Sequence, residues 1–445
     1  MTGPGQSIPT VILGAAGRDF HNFNVLYRDD PATVVVAFTA TQIPGIGGRR
    51  YPPLLAGPRY PDGIPIEEEA QLEAICRRHG VGRVMFAYSD VAHAHVMHLA
   101  SRALASGADF LLAGPQSTML QARKPVVAVS AIRTGCGKSQ TARWISQRIA
   151  GRGIRVAVVR HPMPYGDLAA ERVQRFATVD DLSAQRCTVE EREEYEPHIA
   201  AGNVVFAGVD YAAILEAAER EGDIVLWDGG NNDFPFFRPD LHVVVADALR
   251  PGQADGWHPG EAVLRMADLV LLNKANATGA DQVARVIAEL RAVNPTAPIL
   301  RAASVVTLDD AAAVRGRRVL VVEDGPTITH GGMAWGAGYV AAKEAGAAAI
   351  VDARAYAAPM IRRVYESFPH IGPVLPAVGY GEAQLAALAE TIDRADADIV
   401  VSATPADLAR LIAPRKTIVR ARYELAEIDD PGLGRAIDSF LERIA

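Results

Sequence analysis

The chain has 445 residues, of which 49% are hydrophobic and 22% are charged, the balance of an ordinary globular enzyme. This composition excludes the disordered, collagen-like and coiled-coil classes, and the length corresponds to roughly three domains. The 45 Lys and Arg against 52 Asp and Glu give a net charge of -7, which argues against a general nucleic-acid-binding protein.

Cysteine content and the chain start bear on the compartment. Cys76, Cys136 and Cys187 are sparse, widely spaced and odd in number, so they form neither a disulfide framework nor a zinc-ligand pattern. The first ten residues lack the charged and apolar regions of a signal peptide, and no apolar run reaches about 18 residues. We therefore expect a cytoplasmic protein without a membrane or nucleic-acid partner.

Short apolar runs rich in β-forming residues alternate with helical stretches along the whole chain. Strands that read as continuous apolar runs between helices indicate parallel sheets covered on both faces. The predicted strands are 11–13, 33–38, 83–88, 110–113, 126–130, 155–159, 223–227, 241–246, 269–272, 318–322, 348–351, 399–402 and 417–419.

Basic and amide side chains follow the first two predicted strands. The turn after the first strand has Gly14 and Gly17, but Phe20 stands where a dinucleotide fingerprint needs its third glycine. The loop after the second strand combines three glycines with two arginines, which suits a phosphate. The residues predicted to bind an anionic substrate here are Arg18, His21, Asn22, Asn24, Arg49 and Arg50.

The strongest signal is a glycine-rich turn that joins the strand 126–130 to a helix and ends in Gly137-Lys138-Ser139. Glycines let backbone N–H groups curl around phosphate oxygens, Lys138 reaches the β- and γ-phosphates, and Ser139 can coordinate Mg²⁺. The residues predicted to bind the nucleotide in this turn are Thr134, Gly135, Cys136, Gly137, Lys138, Ser139 and Gln140.

This turn departs from the standard P-loop pattern because Ile132 stands where the first glycine belongs. The segment matches the variant pattern [KR]-x-G-x-G-K-[ST] better. In that class the early basic residue crosses to the nucleotide of a partner subunit. Arg133 occupies this position, so we expect a homodimer.

Charged residues also follow the strand 155–159. The carboxyl ends of parallel strands carry the sites of such sheets. Arg160 and His161 are therefore predicted to bind a phosphate of the substrate, and Asp167 to be a second Mg²⁺ ligand or a base. The acidic segment 190–196 further along is interpreted as a solvated helix face, with a lid as the alternative.

The strand 223–227 ends at Asp228, about 90 residues after the P-loop. An Asp at that point of a P-loop protein can hold Mg²⁺ directly or through water. We predict Asp228 as the Walker-B acid, with Asn231 and Asn232 beside the γ-phosphate.

The strand 269–272 leads into Asn273-Lys274-Ala-Asn276, which is similar to the N-K-x-D loop that reads guanine in GTPases. Asn276 replaces the Asp that would accept from two donors of guanine. We predict Asn273 and Lys274 as nucleotide-binding residues, with a preference for ATP.

The strand 318–322 is followed by polar groups and paired glycines. Thr329 and His330 in this loop are further substrate-binding candidates. Polar segments at 121–125 and 314–318 precede fresh strands, so the expected domains are residues 1–124, 125–315 and 316–445. The predicted class is α/β: a Rossmann-like N-terminal domain that binds the substrate, a P-loop NTPase domain with a mostly parallel sheet, and a C-terminal α/β extension that is independent or completes the second domain.

Seven segments together resemble the cyclic 2,3-diphosphoglycerate synthetase family and its bacterial relatives over nearly the whole chain: GAAGRDFHNFN, TQIPGIGGRRYPP, TGCGKSQT, RHPMPYGDL, WDGGNND, VEDGPTITHGGM and RARYE. The resemblance implies an ATP- and Mg²⁺-dependent ligase that closes 2,3-bisphosphoglycerate to its cyclic anhydride and releases ADP and phosphate. Lys138, Asp228 and Arg133 would be catalytic, Ser139, Asp228 and Asp167 would hold the metal, and the basic loops would hold the small polyanionic metabolite.

Three alternatives stay open. In the first, the chain is a P-loop kinase or ligase for another phosphorylated or carboxylated metabolite. In the second, it is a GTP- or ATP-hydrolysing accessory protein of the metallochaperone type. The third is a nucleotide sensor whose N-terminal unit binds a dinucleotide.

Overall fold

The structure is a computed structural model, and it describes residues 7–41, 46–161, 166–329, 332–377, 381–405 and 407–444. The N-terminal unit comprises β1 (Ile8–Leu13), α1 (Arg18–Asn22), β2 (Thr33–Ala40), β3 (Arg50–Tyr51), α2 (Pro53–Ala56), β4 (Ile64–Glu68), α3 (Leu72–His79), β5 (Arg83–Phe86), β6 (Val91–Ala92), α4 (His93–Ala105), β7 (Asp109–Leu112) and α5 (Pro115–Thr118). Six of its strands form a sheet in the order β3-β4-β2-β1-β5-β7, in which only the β3–β4 pair is antiparallel.

The central unit begins with the strand that leads into the P-loop. Its elements are β8 (Val126–Ala131), α6 (Lys138–Ala150), β9 (Val156–Arg160), β10 (Gln174–Phe176), α7 (Val179–Ala184), α8 (Val189–Ala200), β11 (Val204–Ala207), α9 (Tyr211–Glu221), β12 (Ile224–Asp228), β13 (Leu241–Asp247), β14 (Trp257–His258), α10 (Gly260–Arg265), β15 (Leu269–Asn273), α11 (Ala280–Val293) and β16 (Ile299–Leu308).

The C-terminal unit repeats the alternation of strands and helices. Its elements are α12 (Ala311–Val314), β17 (Arg318–Asp324), α13 (Gly325–Ile328), α14 (Ala337–Glu344), β18 (Ala349–Ile350), α15 (Pro359–Ser367), β19 (Leu375–Ala377), α16 (Glu382–Arg394), β20 (Ile399–Ala403), α17 (Leu408–Ile412), β21 (Ile418–Glu427) and α18 (Leu433–Ile444).

One sheet of 13 strands runs through the central and C-terminal units in the order β10-β11-β9-β12-β8-β13-β15-β16-β21-β20-β17-β18, with β19 paired to β17. The antiparallel pairing of β16 with β21 joins the two halves, and the β10–β11 pair at one edge is also antiparallel. The other pairs in this sheet are parallel. The predicted α/β class with mostly parallel sheets is therefore confirmed.

The core of the central unit is built from fully buried strands. Every residue of β8, β12, β13 and β15 is buried, as expected for strands that carry helices on both faces. The C-terminal helix α18 returns to this core, where Ile437 and Phe440 belong to the same apolar cluster as Ile145 and Ile149 of α6. The end of the chain thus packs on the helix that begins at the P-loop.

A short two-stranded ladder is one of the contacts between the N-terminal and central units. In this ladder β6 pairs antiparallel with β14, which places Val91 opposite His258. The contact brings the loop ends of β1 and β5 toward the P-loop side of the central sheet. Within the described ranges, no helix combines the length and the apolar character that a membrane crossing requires.

Candidate functional site

The P-loop occupies residues 132–137, between β8 and α6. Gly135 and Gly137 adopt φ values of +85° and +100°, in the left-handed region that glycine tolerates best. A Cβ at Gly137 would also collide with the side-chain amide of Asn273. The loop therefore delivers the N-terminus of α6, with its free N–H groups and positive dipole end, to one point, which suits a phosphate.

Asp228 ends β12 beside this loop and is fully buried. Lys138 Nζ donates to its Oδ1 at 2.8 Å, and Arg160 forms an ion pair with its Oδ2. Burial alone raises the pKa of Asp228, but the positive charges of Arg160 and Lys138 outweigh burial and hold that pKa well below its usual range. Asp228 is therefore ionised at neutral pH, as a metal-binding carboxylate must be.

His198 of α8 also contacts this carboxylate, through a 2.9 Å hydrogen bond between Nε2 and Asp228 Oδ2. Burial lowers the pKa of His198, so the ring is neutral at pH 7. Its Nε2–H then donates to Asp228, while Nδ1 accepts from Asn203 Nδ2 at 3.3 Å and Asn203 in turn donates to Ser146. Sequence reasoning missed His198, because nothing in the acidic segment around it marks one histidine as inward-facing.

The prediction that 190–196 is a solvated helix face is wrong. Glu191, Glu193 and Tyr195 are at most 8% exposed, because α8 packs inward over the P-loop helix. Glu194 forms an ion pair with Arg160, and Glu193 accepts a hydrogen bond from the hydroxyl of Thr404 in the C-terminal unit. Glu191, Glu193 and Tyr195 are therefore enclosed in the fold, whereas Arg192, Glu194 and Glu196 are partly exposed.

Asn273 and Lys274 hydrogen-bond the backbone of the P-loop. Asn273 Nδ2 donates to the carbonyl of Cys136 at 2.9 Å, and Lys274 Nζ donates to that of Gly135 at 2.8 Å. Asn276 instead exchanges two hydrogen bonds with the backbone of Ser304 on β16, so both polar ends of its side chain are engaged. The first two residues shape the loop, whereas the third is committed to a neighbouring strand.

Arg250 lies beneath the same loop and is only 6% exposed. Its Nη1 donates to the carbonyl of Thr134 at 2.7 Å, and its Nε lies 3.5 Å from Asp247 Oδ2. Nε and Nη2 have no hydrogen-bond partner among the described residues, and Nη2 lies 2.9 Å from where a Cβ of Gly135 would stand. A buried cation with free donors at a P-loop suits a phosphate. Its position after the strand β13 is a signal that sequence reasoning could have used.

Arg133 is enclosed by its own chain. Its Nε donates to Asp90 at 2.7 Å, its Nη1 donates to Gln253 at 3.0 Å, and its guanidinium lies 3.3 Å from the ring centroid of Trp257. Arg133 and Asp90 are almost fully buried. The P-loop is thus tied to the N-terminal unit, and the side chain does not extend away from the chain as a residue that serves a partner subunit would.

Arg18 and His21 form the apolar and ionic contact between the two units. Arg18 Nε lies 2.5 Å from Asp233 Oδ1, and its guanidinium lies 4.7 Å from the ring centroid of Phe236. His21 stacks on the same ring at 4.2 Å and hydrogen-bonds the carbonyl of Thr118 at 2.7 Å. Both predicted anion-binding side chains are therefore engaged in holding the units together.

A small cleft, here called the seam cleft, opens between the two units and has a cavity volume of about 30 Å³. Asn231 connects it to the P-loop, because its Oδ1 accepts from the hydroxyl of Thr134 at 3.1 Å. Burial raises the pKa of Asp19 in its wall to about 7. The lining residues are Ala16, Gly17, Arg18, Asp19, Ala87, Tyr88, Ser89, His161, Asn231 and Asp233.

The structure does not bring every predicted site residue to the P-loop or the cleft. Arg50 donates to the carbonyls of Asp62 and Gly63, Asn24 accepts from Tyr51, and Arg49 donates to the carbonyl of Gly166. Arg50 and Asn24 hold loops of the N-terminal unit, whereas Arg49 joins this unit to the central unit.

The remaining predicted residues are structural or lie outside the description. Asn232 joins the backbones of Asp90 and Ile132, and the buried Asn22 Oδ1 has no partner among the described residues. Asp167 is exposed and accepts from the backbone of its own turn, and Thr329 donates to the carbonyl of Gly325. His330 lies outside the described residues.

The donor set fits Mg²⁺. No cluster of three His, Cys, Asp or Glu side chains that could hold a metal occurs in the part of the chain that the structure describes. Mg²⁺ takes one or two protein oxygens and completes its shell with phosphates and water. The Ser139 hydroxyl at the start of α6 and the ionised Asp228 carboxylate supply that kind of donor.

Comparison with known proteins finds a relative that matches over nearly the full length of the chain. The arginine synthetase ArcE of Thermococcus kodakarensis is 57% identical over 430 residues, which cover 97% of this chain and 96% of that protein. A tetraacyldisaccharide 4'-kinase of Anaeromyxobacter dehalogenans is 30% identical over 259 residues, covering 53% of this chain and 64% of the kinase. Among solved structures, LpxK from Aquifex aeolicus in complex with ATP has a TM-score of 0.38 at 14% identity, covering 73% of this chain and 90% of LpxK.

No protein-family model matches the chain. The full-length relative has a different name from the family that the sequence motifs resemble, and both names denote synthetases. Its 57% identity extends over nearly all of both chains. The chain is therefore an enzyme that belongs to the family of the arginine synthetase ArcE.

Proposed function

We propose that this enzyme forms arginine in an ATP- and Mg²⁺-dependent reaction. The observation that carries the proposal is the 57% identity to a protein named arginine synthetase over 97% of the chain. The arrangement of Lys138, Arg250 and Asp228 around the P-loop supports the use of a nucleoside triphosphate.

The chemistry of the product defines the acceptor. The guanidinium group of arginine differs from the ureido group of citrulline by one nitrogen in place of one oxygen. Ammonia cannot displace that oxygen directly, because oxide is a poor leaving group. Transfer of the γ-phosphoryl group to the ureido oxygen makes it a phosphate ester, which ammonia then displaces with release of inorganic phosphate.

The chain's own residues have defined tasks in this reaction. The backbone of the P-loop, Lys138 and Arg250 hold and neutralise the phosphates, since phosphoryl transfer is catalysed mainly by positioning and charge. Ser139 and Asp228 would hold Mg²⁺, which supplies further positive charge to the phosphate oxygens when bound. The acceptor is assigned to the seam cleft, which Asn231 links to the P-loop and which must widen from about 30 Å³ to admit it.

Cyclic 2,3-diphosphoglycerate synthesis is the second candidate, and the cations Arg18 and Arg160 favour it. Each of them, however, is matched by a carboxylate: Arg18 by Asp233, and Arg160 by Asp228 and Glu194. A polyanion would meet these carboxylates as well as the arginines. A zwitterionic amino acid with a neutral ureido end suits such a mixed site better, which supports arginine as the product.

A product assay tests the proposal. Purified enzyme with ATP, Mg²⁺ and ammonium is given either citrulline or 2,3-bisphosphoglycerate, and arginine and the phosphorus species are followed by chromatography and ³¹P NMR. We expect arginine, ADP and phosphate in equal amounts with citrulline. A cyclic diphosphate with the bisphosphate and no arginine with citrulline would replace the proposal by the second candidate, and ATP hydrolysis indifferent to both would favour an accessory protein.

A further inference from the structure

His161 stands where the seam cleft meets the P-loop. Its Nδ1 atom makes no hydrogen bond with any described residue, and the side chain is 20% exposed. Gly230 allows the ring to lie close to the backbone after β12, because a Cβ there would collide with the imidazole. A nearly enclosed ring nitrogen without a partner is available to a ligand in the cleft.

Charges of both signs face this ring. Asp233 Oδ2 lies 4.0 Å from Nδ1, while Arg160, Lys138 and Arg18 lie near enough for their charges to act on it. Burial, followed by the charges of Arg160 and Lys138, lowers the pKa of His161 to about 3. The ring is therefore neutral in the protein without substrates, and Nδ1 can accept a proton.

We infer that His161 Nδ1 accepts the proton that leaves the attacking ammonia when arginine forms, an inference that rests on the proposed function. In the first step the ureido oxygen takes the γ-phosphoryl group of ATP, and the bond between the γ-phosphorus and the bridging oxygen breaks to release ADP. In the second step ammonia forms the C–N bond and transfers one proton to His161. The C–O bond then breaks, its electron pair leaves with phosphate, and the proton passes from His161 to that phosphate.

The position of the ring between the P-loop lysine and the cleft suits this order of events. Transfer of the phosphoryl group brings negative charge to the cleft side of Lys138 and offsets the positive charge that keeps the ring neutral. Bound ATP already offsets part of this charge, and the phosphorylated acceptor brings negative charge closer to the ring, so the proton affinity of His161 is highest once the acceptor has been phosphorylated. Asp233, at 4.0 Å, stabilises the imidazolium that then forms.

The test separates the two steps. Positional isotope exchange in ATP labelled at the βγ-bridge, with citrulline and without ammonium, reports phosphoryl transfer; arginine formation with ammonium reports the second step. We expect His161→Ala and His161→Asn to lower the rate of arginine formation by about 10²- to 10⁴-fold, the usual range for loss of a general base. Isotope exchange stays within a few-fold of wild type.

His161→Asn places an amide near the position of Nδ1 and cannot relay a proton, so it separates hydrogen bonding from proton transfer. His79→Asn, at the exposed end of α3, is the matched control and stays at the wild-type rate. Denaturant midpoints identify a variant that fails to fold. In His161→Gly, added imidazole can take the place of the missing ring, so a recovered rate of arginine formation shows independently that the ring accepts the proton.

The outcomes differ for the two claims. Variants of His161 that make arginine within about five-fold of wild type, or that lose isotope exchange as fully as arginine formation, overturn this role while the proposed function stands. A wild-type enzyme that makes no arginine from citrulline overturns the proposed function, and the role of His161 falls with it.

Discussion

Replacement of His198 by Ala removes the neutral hydrogen-bond donor that orients Asp228. The 2.9 Å hydrogen bond has an ionised and fully buried acceptor, so its loss lowers the free energy with which the site binds Mg²⁺ by about 1.5–3 kcal/mol. Lys138 and Arg160 remain in place, so Asp228 stays charged but is free to turn toward them. Since about 1.4 kcal/mol corresponds to a tenfold change, we expect the half-saturating Mg²⁺ concentration to rise by about 10- to 100-fold.

The assay is a Mg²⁺ titration of ATP-dependent turnover at saturating ATP, with a urea midpoint measured for each variant. His198→Gln is the matched control, because its side-chain amide can place a donor where Nε2 stands. We expect His198→Gln to stay within about threefold of wild type. A half-saturating Mg²⁺ concentration within twofold of wild type for His198→Ala, or equal impairment of both variants, would refute the reasoning.

Three further predictions concern the P-loop, the segment Asn273–Asn276 and the C-terminal unit. Lys138→Ala abolishes turnover. A mixture of Lys138→Ala and Arg133→Ala subunits stays inactive, because Arg133 acts within its own chain. Activity recovered on mixing would show that Arg133 serves a partner subunit. Asn276→Asp leaves the ratio of kcat/KM for GTP and ATP within about threefold, because both polar ends of the side chain already bind β16. Burial raises the pKa of Glu323 to about 7 from an ordinary value of 4.5, so the wild-type free energy of unfolding falls as pH rises between these values. Glu323→Gln lacks this titrating group, so between pH 4.5 and 7 its free energy of unfolding should rise relative to that of wild type by up to about 1.4 kcal/mol per pH unit. Urea unfolding across this pH range measures the difference, and a difference that does not change with pH would contradict the prediction.

Four of the strands that the sequence predicted are buried on both faces and read as continuous apolar runs. β8, β12, β13 and β15 are of this kind. β16 was missed because its second half alternates between half-buried and exposed residues and pairs with β21, a strand more than 100 residues later. Local periodicity contains no information on such a distant partner.

The candidate site shows the same division. Glycine spacing and a following lysine predict the P-loop because the backbone itself forms the phosphate cradle. The partners of its side chains were not predictable, since Arg133 meets Asp90 and Asp228 meets His198 only after distant elements pack together. A count of cations in loops therefore overstated the free positive charge: Arg18 and Arg160 are matched by carboxylates that lie elsewhere in the chain.

Oxygen transfer tests most directly the claim that the enzyme activates an acceptor oxygen by phosphorylation. Citrulline labelled with ¹⁸O in its ureido group is converted with unlabelled ATP and ammonium, and the released phosphate is examined by ³¹P NMR. The account predicts one ¹⁸O atom in each phosphate, in proportion to the arginine formed. Unlabelled phosphate formed alongside arginine would show that the oxygen leaves by another route and would contradict it.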